Sequence, residues 1–336
     1  FSGQPLPAVA LPVPNDLDAT NKQLAGLAAK YRGFWTVEYA QTYVDPSSSI
    51  ETWLGANRLL VSTKWFDEVE VKHYRPAPAP AADTELAHAP AVLKDFGPLE
   101  LDRAQTGPVQ PDRTALVNLL WTVAQTPSSD LHMSLQLFDA ANRKLAQTDG
   151  PPLDGGLPTS QWVPGLAYPD SWLIHVPATP GLYVLKTSVY DSAERVVGAQ
   201  QPIAMLNTTT PIVAETMDAQ TTAGWRTDKI VAGRDGNGSW IVSVENTVSN
   251  TPAADYVWFA HLLDASGKLV GQDDHAPLVP THLWQPGERF SESFRLPGMD
   301  NGSTVVVGAY DSASKRVLFS LGGHMADELD LAVPGA

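Results

Sequence analysis

Leu137-Phe138-Asp139-Ala140, then Pro158-Thr159-Ser160-Gln161-Trp162-Val163-Pro164-Gly165, then Tyr190-Asp191-Ser192-Ala193 form a series that the chain repeats. It returns as Leu262-Leu263-Asp264-Ala265, Pro280-Thr281-His282-Leu283-Trp284-Gln285-Pro286-Gly287 and Tyr310-Asp311-Ser312-Ala313. The offset is 125 residues between Asp139 and Asp264, 122 between Trp162 and Trp284, and 120 between Tyr190 and Tyr310. So small a drift over so long a period describes two tandem copies of one domain of roughly 110 residues, and excludes a short solenoid repeat.

The strands inside each copy alternate. Leu131, Met133, Leu135 and Leu137 face one way while His132, Ser134 and Gln136 face the other, the pattern of a half-buried strand. In the aligned strand Tyr256, Trp258, Ala260 and Leu262 form the core set, and the other face carries Val257 and Phe259 beside His261. Where copy one is wet, copy two is apolar. Val257, Phe259 and His261 are therefore expected to be covered by another domain or to form a contact surface.

Upstream the texture differs. Leu17, Leu24, Leu27 and Ala28 fall at helical spacing, with Asp16 or Asp18 available as a cap. Gly33–Tyr39 reads as a strand, a serine-capped helix follows with Ile50, Trp53 and Leu54 on one face, and Phe66–Tyr74 returns as a strand. Arg75-Pro76-Ala77-Pro78-Ala79-Pro80-Ala81-Ala82 favours polyproline II, a semi-rigid spacer. Beyond Leu93, short β runs are broken by Pro and Gly every 8 to 12 residues, as in sandwiches. The predicted fold is mainly β: two tandem immunoglobulin-like or jelly-roll-like antiparallel sandwiches after a small α/β unit. The boundaries are 1–75 for the α/β unit, 76–92 for the Pro/Ala-rich linker, 93–208 for sandwich one and 209–336 for sandwich two.

With 336 residues, 43% of them apolar and 18% charged, the chain can bury a core in each unit. Its net charge of −15 argues against nucleic acid and against anionic lipid. The absence of cysteine excludes thiolate metal sites and, for an extracytoplasmic protein, weakly favours a bacterial source. No apolar run reaches the length of about 20 residues that a membrane helix needs. The start at Phe1 suggests a piece of something larger.

Trp162 and Trp284, each with a Thr three residues before it (Thr159, Thr281) and an Asp upstream (Asp149, Asp274), admit two readings. As platforms for a pyranose ring, with carboxylates accepting hydroxyl hydrogens, they would bind a glycan. As plugs under a long loop pinned by Thr and Asp, they would be structural. Their repetition in both copies favours structure, because a core requirement recurs wherever the fold does. An exposed aromatic row in a groove would favour glycan binding; burial of both Trp residues would favour structure. Asp273-Asp274-His275 with His282 lacks a defined ligand spacing and reads as a solvated acidic turn, so no metal or cofactor is expected. Asp235-Gly236-Asn237-Gly238 reads as a hairpin turn. No catalytic triad, zinc motif or phosphate loop is visible.

The motifs Leu137–Arg143, Gln147–Pro151, Pro158–Gly165, Gly181–Leu185 and Tyr190-Asp191, echoed in copy two, resemble soluble tail domains found after the membrane region of bacterial GT-C-type glycosyltransferases of the protein mannosyltransferase-like kind. Copy two departs from the pattern at His275 and at Asn301–Thr304. Phe34–Val37, Asp45, Ile50–Leu54, Trp65-Phe66 and Val69–Tyr74 are similar to the segment that closes the extracytoplasmic part of those enzymes. Because their catalytic carboxylates are ascribed to loops between membrane helices, the resemblance implies that this chain lacks the active site. It implies an extracytoplasmic accessory region, tethered through a missing membrane portion and positioning a glycan or protein acceptor. The alternative is a structural or adhesive surface module with no small ligand; a stand-alone carbohydrate-active enzyme is a third.

Overall fold

A computed structural model of the chain describes residues 9, 17–31, 33–39, 45, 48–84, 86–87, 89–297 and 302–334. The protein is mainly β, built from antiparallel sheets that form two sandwiches after a small α/β unit.

In the α/β unit, helices α1 (Leu17–Lys30) and α2 (Ser49–Asn57) accompany strands β1 (Phe34–Tyr39), β2 (Arg58–Phe66) and β3 (Val69–Pro76), in the order β1-β3-β2. Leu24 of α1 and Leu54 of α2 are buried. Lys72 on β3 reaches Glu51 of α2 as well as Glu38 and Glu70, so α2 lies over the charged face of the sheet. Two expectations are corrected here. The strand read from Phe66 to Tyr74 is a hairpin, in which β2 runs straight on from α2 and turns at Asp67-Glu68, with Asp67 at φ 53°. No Gly or Pro separates helix from strand, so the sequence carries no break signal. The cap of α2 is not serine: Ser48 sits at φ 49° without a side-chain bond, and Asp45 accepts from the Ile50 N–H and the Ser49 hydroxyl. Asp16, one of the two cap candidates for α1, lies outside the described residues.

The Pro/Ala-rich segment at 76–92 is docked along a sandwich. Ala79 and Ala167 exchange backbone hydrogen bonds, and Leu86 and Ala89 are buried with Leu120 and Ala167.

Sandwich one places β4 (Ala91–Phe96), β5 (Leu99–Val109), β6 (Thr114–Val123) and β9 (Ala167–His175) in the order β4-β5-β6-β9. Against them lie β7 (Leu131–Phe138), β8 (Lys144–Gly150), β10 (Leu182–Asp191) and β11 (Val196–Asn207), in the order β11-β10-β7-β8. Sandwich two repeats this order. β12 (Pro211–Thr221), β13 (Trp225–Arg234), β14 (Trp240–Val248) and β17 (Arg289–Leu296) lie as β17-β14-β13-β12, extended by the short β19 (Phe319–Leu321) and β20 (His324–Ala326). The facing sheet is β16-β15-β18-β21, from β15 (Tyr256–Asp264), β16 (Leu269–His275), β18 (Gly302–Asp311) and β21 (Leu329–Ala332). In sandwich one the Tyr183 hydroxyl, at the start of β10, donates to the Thr179 carbonyl at 2.5 Å, the tyrosine corner of immunoglobulin-like folds.

The units touch at named points. Arg75 pairs with Asp154 at 2.7 Å, and a Cβ on Gly156 would stand 2.2 Å from Val61 Cα, so β2 lies directly against sandwich one. Between the sandwiches, Arg103 pairs with Glu288 at 2.7 Å, Lys94 donates to the Leu278 carbonyl, Asn207 donates to Ser243, and the Gly236 N–H donates to the Pro180 carbonyl.

Candidate functional site

The Pro-Thr-x-x-Trp segments fold the same way twice. In each, Thr and the two residues after it form a single 3-10 turn. The Thr159 hydroxyl accepts from the Leu131 N–H, the first residue of β7; the Thr281 hydroxyl accepts from the Tyr256 N–H, the first residue of β15. The Trp162 indole donates to the Leu157 carbonyl and that of Trp284 to the Val279 carbonyl, both at 3.1 Å. Trp162 stacks on Tyr168 with centroids 4.0 Å apart, and Trp284 packs on Phe290 at 3.7 Å. Both tryptophans are buried, and the indole N–H of each is spent internally. Neither offers a ring face to a sugar. The motif is a staple that closes the long loop between two strands and locks it to the start of another.

Asp149 and Asp274 do not join them. Asp149 is exposed on β8 opposite Ser134, where the Gln147 amide donates to it. Asp274 on β16 meets His261 Nε2 at 3.3 Å and accepts from the Tyr310 hydroxyl at 3.4 Å. At the expected contact surface, Phe259 is covered by the chain's own turn. Phe259 is buried, Arg316 lies over its ring at 3.9 Å, and Gly308 leaves the gap it fills, since a Cβ there would come within 2.3 Å of the ring. Val257 and His261 stay half-buried beside it. Arg316, on the segment leaving β18, thus covers Phe259 itself.

The Asp273-Asp274-His275 and His282 group also separates. His282 pairs with Asp255, while His275 sits between Asp273 at 3.1 Å and the buried Glu292 at 3.6 Å, its ring tilted against Phe294. Burial opposes the charge on His275, but the two carboxylates outweigh it and the imidazole is pushed up to about 9. Burial moves Glu292 upward as well. Among the described residues, Glu38, Glu51 and Glu70 do converge closely enough to hold a metal. The Lys72 ammonium already occupies that point, so the cluster reads as an ion-pair network.

The exposed aromatic row lies elsewhere, on the uncovered face of the N-terminal sheet. Trp35 is 53% exposed, Val37 70%, Tyr39 61% and Phe66 61%, and all four share one side. The register sets this: Trp35 pairs with His73, Val37 with Val71, and Tyr39 with Val69, which also pairs with Phe66. Trp35 stacks on His73 at 4.1 Å with rings parallel to within 1°, so one indole face is held and the other left open. Burial, with Arg75 beside it, lowers His73 to about 4, so at neutral pH the ring beneath Trp35 is uncharged. Residues two apart on a strand stand about 6.8 Å apart, so Trp35 and Tyr39 mark a row of about 14 Å. The sequence did carry a signal for this face. Trp35, Val37 and Tyr39 alternate against Thr36 and Glu38, but alternation names the apolar face without saying whether anything covers it.

A cleft of about 680 Å³ opens between the sandwiches. Gly287–Glu292 form one wall in unbroken sequence, with Ala104–Thr106 and Ile203–Met205 facing them.

No family model matches the chain, and no curated protein matches it. Solved structures give distant likenesses. The exo-chitosanase of Amycolatopsis orientalis shares 11% identity over 65% of this chain and 26% of its own, at a TM-score of 0.19. The β-glucuronidase of Bacteroides uniformis shares 10% over 66% and 26%, at 0.21. The chicken interferon gamma receptor alpha chain shares 8% over 70% and 98%, at 0.19. The chain thus spans about a quarter of the length of the two glycosidases. Likenesses at these scores carry no functional argument; the fold assignment stands on the strand order.

Proposed function

We propose that this chain is a non-catalytic extracytoplasmic accessory region of a membrane-embedded glycosyltransferase, and that it holds a glycan on the uncovered face of its N-terminal sheet. The observation that carries the reading is the row of Trp35, Val37, Tyr39 and Phe66, exposed on one face of a sheet whose other face meets α2 through Lys72 and Glu51. Aromatic and apolar side chains on a strand surface can pack against the CH-rich faces of saccharide rings. The motif resemblance supports the link to a transferase.

The competing reading is a structural or adhesive module, favoured by the burial of Trp162 and Trp284. A pull-down on insoluble polysaccharides and a glycan array separate the two. The wild type and Trp162→Phe should bind alike, and Trp35→Ala with Tyr39→Ala should lose binding while keeping the circular dichroism spectrum. A wild type that binds no glycan leaves the structural module standing.

A further inference from the structure

β1 is one edge of the N-terminal sheet, and it is the edge turned away from sandwich one. The order β1-β3-β2 leaves β2 against the sandwich, where Val61 meets Gly156, and sets β1 two strand spacings, about 10 Å, farther out. Among the described residues no strand or turn pairs with the outer side of β1. Open edges are templates for pairing, and proteins blunt them with charges, proline, bulges or a covering segment. β2 carries such devices: its register with β3 shifts between Leu60 and Ser62, and Lys64 is exposed. β1 carries none. It holds register with β3 from Phe34 to Tyr39 without a shift and contains neither proline nor lysine. Its single charge, Glu38, is spent on the Lys72 ammonium at 3.1 Å on the other face.

We propose that β1 pairs with β1 of a second copy of this chain, antiparallel about Val37, joining two three-stranded sheets into one of six strands. The strand is self-complementary in that register. Val37 opposes Val37 of the second copy, Trp35 opposes its Tyr39, and Thr36 opposes its Glu38, so aromatic meets aromatic and no two carboxylates face each other. Centring the pair on Glu38 would oppose two carboxylates, and centring it on Thr36 would set Phe34 against Glu38. Charge also favours this occupant. The chain carries −15, but residues 17–76 hold seven Lys and Arg against seven Asp and Glu, so two α/β units meet without net repulsion. Pairing side by side leaves the aromatic faces open and puts both rows on one side of the joined sheet. The second copy thus adds its own Trp35, Val37 and Tyr39 to the same floor. The interface does not need the glycan reading, because the oligomeric state is read without a glycan and either proposal can fail alone.

Six residues a side bury less than the roughly 800 Å² per partner of a standard interface, so the dimer is a weak one. Sedimentation equilibrium of the wild-type chain from about 1 µM to about 1 mM is expected to show a reversible monomer–dimer equilibrium. The chain has no cysteine, so a single introduced thiol reports on its own position. Opposed Cα atoms in an antiparallel pair lie about 4.5–5.5 Å apart, within the reach of a disulfide. Val37→Cys should therefore link to itself under diamide roughly tenfold faster than Phe66→Cys, which is similarly exposed on the far edge strand. Val37→Glu and Val37→Lys should each be monomeric, because like charges then face each other across the two-fold axis, and an equimolar mixture of the two should dimerise again. A wild type that stays monomeric throughout the range overturns the proposal. So does a Val37→Cys chain that links no faster than Phe66→Cys, or a mixture no more dimeric than its components. Should either charged variant fail to fold, sedimentation of the wild type and the cysteine comparison decide alone.

Discussion

Trp284 illustrates how one side chain can be read correctly for its place and ambiguously for its purpose. Its indole closes a loop, packs on Phe290 and meets Trp225 edge-on at 5.7 Å, so truncation removes a large buried volume together with a hydrogen bond. Trp284→Ala should cost about 3–5 kcal/mol, measured by guanidinium unfolding of the second sandwich, with no specific effect on glycan binding by folded protein. His275 gives a second expectation. Its unfolded imidazole titrates near 6.5 and its folded one near 9, so the stability linked to its proton is whole below pH 6.5 and is lost as pH rises through about 9. The groups facing it are Asp273, held below the usual carboxylate range by its bond to His275 and the Arg295 N–H despite burial, and Glu292, pushed upward by burial. Thermal unfolding of the wild type should weaken across that window, and His275→Gln should flatten the slope.

Among the elements, the hairpins explain why the sequence repeats itself most visibly at Asp. Asp139, Asp191, Asp235, Asp264 and Asp311 each open a five-residue turn, in which the carboxylate accepts from the N–H groups two and four residues on. The fourth residue of each turn is left-handed: Asn142 at φ 59°, Glu194 at 59°, Gly238 at 83°, Gly267 at 82° and Ser314 at 61°. Gly and Asn suit that conformation; Glu194 and Ser314 do not. Ser314→Gly should therefore stabilise the second sandwich by about 1 kcal/mol, read as a rise in unfolding midpoint. Of these turns only Asp235-Gly236-Asn237-Gly238 was read as one in the sequence, because Asp139, Asp191 and Asp311 open theirs without a glycine; alternation from Leu131 to Leu137 announced the strand β7, although Ser134 on its polar face is buried. What escaped the sequence were facts about neighbours. β2 hid behind α2 because Asn57 passes to Arg58 without a breaker, and Phe259 gave no sign that Arg316, 57 residues later, would roof it. The aromatic face stayed unnoticed for the same reason. An apolar side chain on a strand carries no label saying whether its partner is this chain, another molecule or water.

At the scale of the whole molecule, the Arg103–Glu288 pair ties the two sandwiches together, and Arg103 also donates to the Ala89 carbonyl of the docked segment. Removing the guanidinium strands a largely buried carboxylate, so Arg103→Met should weaken the junction by about 3 kcal/mol. Scanning calorimetry is expected to show the two sandwiches melting further apart than in the wild type, and small-angle scattering a larger radius of gyration. A single unchanged transition would mean that Lys94, Asn207 and Gly236 hold the junction without it. The Pro/Ala segment fastened by Leu86 and Ala89 has a mechanical meaning as well. A loose tether would let the α/β unit wander through a sphere, so that a cargo met its target at a concentration diluted by the cube of the tether's reach. A strut pinned along its length would instead hold anything the α/β unit binds at one address, and lengthening the segment would change where it arrives more than how often.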